Sequence, residues 1–297
     1  MVDDEIRFMN LPEEYSRENA FFGLLPIAYE KSATYGFGAS KGPKRILEAS
    51  KHLEYYDEQF DNEPFEKGIF QEELLALNSE TPEQAIAKIK EAVKNNKNNF
   101  LVSLGGDHAV TIGLVQGFEE KLKEKNEDFS ILVLDAHSDF RYSWNNSLLN
   151  HACVTRRLVD KHKIGVIGVR SQDKDEAFAI DENNNIKIIK SYDFSQEKFN
   201  ELLRFLGKKI YLSIDVDFFD PSFIRNTGTP EPGGFQWNET IGLLRRLFQE
   251  KEVIAADIVE FSPKDNSGEE SQAEAEAFSL AKLAYKLMAL KLFQQSN

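Results

Sequence analysis

The chain has 297 residues, 41% of them hydrophobic and 29% charged, enough to bury a full core and unlike a disordered polymer. Its formal net charge of −14 leaves no basic face to neutralise phosphates, which argues against a nucleic acid or an anionic membrane as partner and favours a small cationic one. The single cysteine, Cys153, rules out an internal disulfide and a thiolate metal cage.

The first ten residues, MVDDEIRFMN, show no basic-then-apolar signal pattern, and no run approaches the roughly 18 apolar residues of a membrane span, so a soluble cytoplasmic protein is expected. Residues 21–29 (FFGLLPIAY) read as the first strand, 35–43 as a loop and 43–55 as a helix. Thr81-Pro82-Glu83-Gln84 joins a threonine cap, a proline in the first turn and a glutamine in the capping-box position, opening a helix that runs to about Asn95. A strand at 100–104 leads into a helix at 109–123, and a strand at 129–135 into a loop and a helix at 154–161. Further strands are expected at 163–169, 186–189, 209–216 and 253–260, and helices at 196–206, 238–249 and 274–292. The acidic run at 269–276 reads as the solvated start of the last helix. Strands alternating with helices predict one α/β domain over residues 1–297, a three-layer α-β-α stack around a mainly parallel sheet.

Three strands end in polar clusters: FLVSLGGDH at 100–108, FSILVLDAHSD at 129–139 and IYLSIDVD at 210–217. Each apolar run has the character of a strand covered on both faces. Ligands in open α/β sheets collect beyond the carboxyl ends of the strands, so clusters distant in sequence can converge there. Asp135, His137 and Asp139 recur at period two, which in an extended segment points all three side chains one way. Asp215 and Asp217 repeat the pattern, and two like charges at a buried strand end call for a compensating cation. His108 is reached through Gly105-Gly106, where missing side chains permit a tight turn. Four carboxylates balance two divalent cations, and oxygen with imidazole ligands favours manganese or a similar first-row ion. Such a pair lowers the pKa of a shared water toward neutrality, so hydrolysis is the expected output.

The motifs GGDHAVT at 105–111, DAHSD at 135–139, SIDVDFFDP at 213–221, GTPEPGG at 228–234 and DIVEFSP at 257–263 together resemble the arginase/agmatinase ureohydrolase family, and GPKRILEAS at 42–50 looks like its early helix start. The resemblance implies two Mn²⁺ per subunit, one held by His108, Asp135, Asp139 and Asp215, the other by His137, Asp135, Asp215 and Asp217. It implies that Glu260 grips the substrate guanidinium, that His151 shuttles a proton to the departing amine, and that Asn150 joins Glu260 and His151 in binding the substrate. Asp139 would stabilise the tetrahedral intermediate. The family also implies a homo-oligomer, a trimer or a hexamer. His52 and His162 carry no such context and are read as structural, and Cys153 as a packing residue.

Within the family the segment FRYSWNNSLLN at 140–150, followed by His151-Ala152-Cys153-Val154, resembles microbial agmatinases, so agmatine cleaved to urea and putrescine is the expected reaction. Asn145, Asn146 and Ser147 are candidate donors for an α-amino acid end, which keeps arginase open. Guanidinobutyrase, formimidoylglutamase and aminopropyl-agmatine ureohydrolase stay open too, as do a metal-dependent deacylase and a non-catalytic regulatory subunit of the same fold. The 227–234 loop is expected at the entrance. The long acidic stretch 264–277 departs from the family pattern, and its role is left open, as is that of Asp257 beside Glu260.

Overall fold

A computed structural model describes residues 6–31, 36–123, 127–264 and 270–296, without the side chains of residues 270, 271 and 296. Nine strands form one sheet in which the pairings among the described residues are all parallel. They are β1 (Phe22–Ala28), β2 (Ile69–Gln71), β3 (Leu75–Ala76), β4 (Phe100–Leu104), β5 (Ser130–Leu134), β6 (Ile164–Val169), β7 (Ile186–Lys190), β8 (Lys209–Asp215) and β9 (Glu252–Val259). The lateral order is β2-β1-β4-β9-β8-β5-β6-β7, with β3 also on β1.

Alternate residues of each strand feed two cores. Phe22, Leu24, Phe100, Val102, Leu132, Leu134, Leu212 and Ile214 face one layer, and Leu25, Ile27, Leu101, Ile131, Val133 and Tyr211 face the other. The first layer holds α1 (Gly42–Ser50), α6 (Gln196–Phe205), α7 (Trp237–Glu250) and α8 (Glu270–Ser296). The second holds α2 (Pro82–Asn95), α3 (Val110–Lys123), α4 (Val154–Leu158) and α5 (Lys174–Asp181). The expected three-layer α-β-α stack is the fold observed.

Local chemistry sets the helix starts. Thr81 and Gln84 form both halves of the capping box, Gln84 N–H donating to Thr81 Oγ1 at 3.3 Å and Thr81 N–H to Gln84 Oε1 at 3.0 Å. The 27-residue α8 is sealed around most of its length by Leu280, Leu283, Leu287, Met288 and Leu290, as a helix packed against both sheet and neighbours must be. Its most deeply buried cation, Lys286, is matched by buried Asp57 at 2.8 Å.

Several expectations need adjustment. The helix read at 43–55 stops at Ser50 and that at 154–161 at Leu158, while β2, β3 and α5 were not expected. The acidic run is not uniformly solvated: Glu276 is buried and accepts from Arg225 N–H, Asn226 N–H and Asn226 Nδ2 at 2.7–3.0 Å, while Glu274 is exposed. Residues 265–269 of the 264–277 stretch lie outside the described residues, as does Tyr35 of the 35–43 loop.

Candidate functional site

Four strands adjacent in the sheet, β4, β9, β8 and β5, carry the chemistry at their carboxyl ends: His108 follows β4, Glu260 follows β9, Asp215 and Asp217 close β8, and Asp135, His137 and Asp139 follow β5. Residues close in space here belong to strands distant in sequence, and parallel pairing sets every carboxyl end on one edge.

Past β4 the backbone stays stitched between its neighbours. Gly105 N–H donates to Ile258 O at 2.8 Å, Asp107 N–H to Tyr29 O at 2.8 Å, and Glu260 N–H to Gly106 O at 2.8 Å. A Cβ on Gly106 would stand 1.9 Å from Tyr29 O, so the chain reaches His108 through a gap that admits glycine alone. His108 Nδ1 then lies 3.2 Å from Asp135 Oδ2, 3.0 Å from Asp139 Oδ2 and 3.3 Å from Asp215 Oδ2. On the other side of Asp135, His137 Nδ1 lies 3.7 Å from Asp135 Oδ1 and 2.9 Å from Asp217 Oδ2. Two compact ligand groups result, His108-Asp135-Asp215 and Asp135-His137-Asp217, and they share Asp135.

The local path differs from the extended one expected. Asp139 and Glu260 sit at left-handed φ of 48° and 67°, a conformation disfavoured for residues with a Cβ, and Asp217 lies in a single 3-10 turn where its N–H donates to Asp215 Oδ1 at 2.9 Å. These turns, and no continued strand, swing the carboxylates inward.

The electrostatics describe an anionic cluster short of positive charge. Burial, together with the charges of Asp217 and Asp135, pushes the Asp215 carboxyl well above the usual carboxylate range, and burial with the Asp135 charge lifts Asp139 to about 7. Burial opposes a charge on His137, but Asp217 and Asp135 outweigh it and hold that imidazole up at about 12. His108 Nδ1 and Asp135 Oδ2, though 3.2 Å apart, are buried without a well-aligned hydrogen bond. Converging carboxylates, two imidazoles and stranded buried polar atoms are what divalent cations would satisfy, so the residue set fits a binuclear centre.

A buried polar chain stands behind His108. Its Nε2 lies 3.0 Å from Ser213 Oγ, which donates to Asp257 Oδ1 at 2.6 Å, and the other Asp257 oxygen accepts from Tyr211 OH at 2.5 Å and Thr111 Oγ1 at 3.1 Å. Asp257 therefore braces His108. Glu260 accepts the His108 N–H at 2.6 Å through Oε1 and walls the same cavity.

That cavity, of about 350 Å³, is lined by His137, Asp139, His151, Glu231 and Glu260, and also by Arg141 and Trp144. Asn150 is buried under His151, its Oδ1 accepting from Ala152 N–H at 3.1 Å. The entrance loop lies where expected, with Thr227, Gly228, Thr229 and Glu231 on the wall. The Arg170 guanidinium holds it there, donating to Glu231 O at 2.8 Å and Asp217 O at 2.6 Å. Cys153 is buried, and burial first, then the Asp139 charge, pushes its thiol up to about 11, as suits a packing residue. His162 is buried between Phe129 O and Glu119, so its structural reading stands.

Asn145 and Asn146, weighed as substrate donors, have φ of 49° and 59° and form the two-residue tip of a hairpin in which Trp144 and Ser147 exchange N–H to O bonds of 2.9 Å. Both are exposed, and their place is the type I′ turn that such a tip requires. Arg141, Trp144, Asp173 and Glu231 were not picked out. The GTPEPGG motif contains Glu231, and the Asp173-x-x-Glu176 capping signature points to α5.

Comparison with known proteins accords with this geometry. The family model described as "Arginase family" matches residues 20–289. An N(1)-aminopropylagmatine ureohydrolase of Synechocystis sp. is 36% identical over 279 residues, covering 89% of this chain and 87% of that one. An agmatinase of Pyrococcus horikoshii is 33% identical over 249 residues, 82% of this chain and 85% of its own. Among solved structures, the agmatine ureohydrolase of Thermoplasma volcanium superposes with a TM-score of 0.79 at 26% identity, over 94% of this chain and 92% of that one.

Proposed function

Because the chain belongs to the arginase family, we propose that it adds water to the guanidino group of a substrate with a cationic tail, releasing urea and an amine. The observation that carries this reading is the pair of ligand groups sharing Asp135 at the floor of a cavity walled by Glu260. Two Mn²⁺ would be held by His108, Asp135, Asp139 and Asp215 and by His137, Asp135, Asp215 and Asp217, with Asp135 and Asp215 common to both. When bound, they neutralise the four carboxylates and activate water for attack on the guanidinium carbon.

The protein's own groups position the substrate. Glu260 keeps Oε1 on the His108 N–H, leaving its second oxygen for a guanidinium N–H, which orients the planar group over the shared ligand Asp135. Asp139, whose Oδ2 lies 3.0 Å from His108 Nδ1, would accept a hydrogen bond from an N–H of the tetrahedral species. His151 delivers the proton that lets the amine depart, and Asn150 fixes the turn that presents it.

The substrate we favour is N1-aminopropylagmatine, with agmatine as the second reading. Support comes from the similarity to the Synechocystis enzyme, from the carboxylates lining the cavity and from the use of Asn145 and Asn146 in a turn. Urea release after Mn²⁺ loading, measured on both compounds and on arginine, guanidinobutyrate and formimidoylglutamate, with metal counted per chain, tests the proposal. Urea from arginine with none from the two cationic-tailed compounds would overturn the substrate, and an inert protein holding no paired metal would overturn the reaction. Among the described residues no helix is long and apolar enough to cross a membrane.

A further inference from the structure

Among the described residues lining the cavity Arg141 is the one Lys or Arg, and the wall also carries the Asp173, Glu176 and Glu231 carboxylates beyond the candidate metal ligands. Its guanidinium lies over the Trp144 ring, 4.2 Å from the centroid, while Nη1 meets Asp173 Oδ2 at 2.9 Å. Glu176 is otherwise engaged: Oε1 accepts from Ser138 Oγ at 2.8 Å and Phe140 N–H at 3.0 Å, and Oε2 from Asp173 N–H at 3.1 Å. Asp173 Oδ1 takes the Glu176 N–H at 2.8 Å, so Oδ2 is the oxygen that faces the arginine.

An aromatic face and a carboxylate converging on one point form a seat for a cation that also has an apolar body. The Trp144 backbone is held by the hairpin that the Asn145-Asn146 turn closes, through its two 2.9 Å bonds with Ser147. The Arg141 side chain is 30% exposed and its backbone N–H stays fixed on Ala152 O at 3.0 Å, so rotation about the side-chain bonds can lift the guanidinium off Asp173, Glu176 and the Trp144 face. A carboxylate-tailed substrate gains little from Arg141, whose charge Asp173 already matches and whose surroundings include Glu176 and Glu231.

We propose that the Trp144 face and Asp173 Oδ2 form a subsite for the terminal ammonium of the substrate's tail, and that Arg141 occupies it until the substrate displaces it. This rests on the guanidine-hydrolysing reading above and deepens it. A guanidine whose tail carries a second ammonium beyond the first gains most from the seat, and one with a neutral alkyl tail gains nothing.

Two measurements test it. In the Mn²⁺-loaded enzyme, Trp144→Leu raises KM for N1-aminopropylagmatine about tenfold with kcat within about twofold, and leaves KM for butylguanidine unchanged; Arg141→Gln lowers KM for the former. Equal KM shifts for both tails, or no decrease with Arg141→Gln, overturn the subsite. Separately, spermidine, a triamine without a guanidine, is titrated by tryptophan fluorescence in a Trp237→Phe background. The seat predicts a saturable change that is lost with Asp173→Asn and tightens with Arg141→Gln, and absence of that change overturns it. If the enzyme releases no urea from any guanidine while spermidine still perturbs Trp144, the reaction falls and the subsite stands.

Discussion

His108 Nε2 and Ser213 Oγ lie 3.0 Å apart, and through that contact the imidazole that faces three carboxylates is tied to the interior of β8 and β9. A metal-binding histidine needs its remote nitrogen fixed, because that bond selects the tautomer and aims the ring. Ser213→Ala is expected to weaken Mn²⁺ binding about 10- to 100-fold, read by equilibrium dialysis, with little change in the folded secondary structure. Unaltered affinity would mean that the ring is held by packing alone.

Glu260→Gln keeps the shape of the side chain and the bond from His108 N–H but removes the charge that the proposed reaction would offer to a guanidinium. A loss on the order of 10²-fold in kcat/KM is expected, since a hydrogen bond to a charged group is worth roughly 1.5–3 kcal/mol. Metal stoichiometry should stay the same, which separates substrate orientation from ligand loss.

Without cations the buried carboxylates repel one another, so metal removal should lower the melting temperature by about 5 °C or more relative to protein held at about 100 times Kd. Asp215→Asn relieves that repulsion, since burial and the Asp217 and Asp135 charges hold the Asp215 proton on well above its ordinary range. Its metal-free form should melt higher than the metal-free parent and gain less from added Mn²⁺. Calorimetry with and without chelator reads both effects.

Lys286 and Asp57 are 1% and 2% exposed at the side chain and pair at 2.8 Å between α8 and the loop before Phe60. Lys286→Met leaves the Asp57 charge buried without a partner, and a loss of about 3–5 kcal/mol in urea-unfolding stability is expected. Replacing both residues by apolar ones should recover most of it. Failure of the double variant to recover would show that Asp57 matters through its bonds to Gln59 and Phe60 N–H instead.

Asp220 ties down the entrance loop, accepting from Ser222, Gly233 and Gly234 N–H at 2.9–3.1 Å, and these bonds, Ser222 foremost, hold its carboxyl at about 2. A carboxyl depressed by folding contributes stability above its unfolded pKa of about 4, and that contribution fades as pH falls toward 2. Asp220→Asn should therefore melt a few degrees below the parent at pH 7, with the gap narrowing at pH 3. A gap independent of pH would assign the effect to geometry and not to charge.

The centre of the sheet and most of its site are legible in sequence for one physical reason. Strands buried on both faces are near-continuous apolar runs, so β4, β5, β8 and β9 announce themselves, and a charged residue at the end of such a run has to be explained. Their lateral order is not written in any segment, and neither is the approach of His108 to Asp135. Short elements leave no period to read, which hides β2 and β3, of three and two residues. Composition misleads at Glu276, one acid among many in its run, whose burial depends on the backbone N–H groups of Arg225 and Asn226 arriving from elsewhere. The hairpin at Asn145-Asn146 shows the opposite failure, polar side chains weighed for recognition that serve the backbone.

Asp139 and Glu260 share a backbone twist that their residue types do not favour. Copying the acidic and imidazole groups onto another parallel-sheet scaffold would consequently reproduce a list and not a centre, because the carboxylates at positions 139 and 260 would leave their strands in the ordinary direction and miss the rest. What has to be transplanted is the pair of corners, with the neighbouring strands whose carbonyls and amides keep them bent.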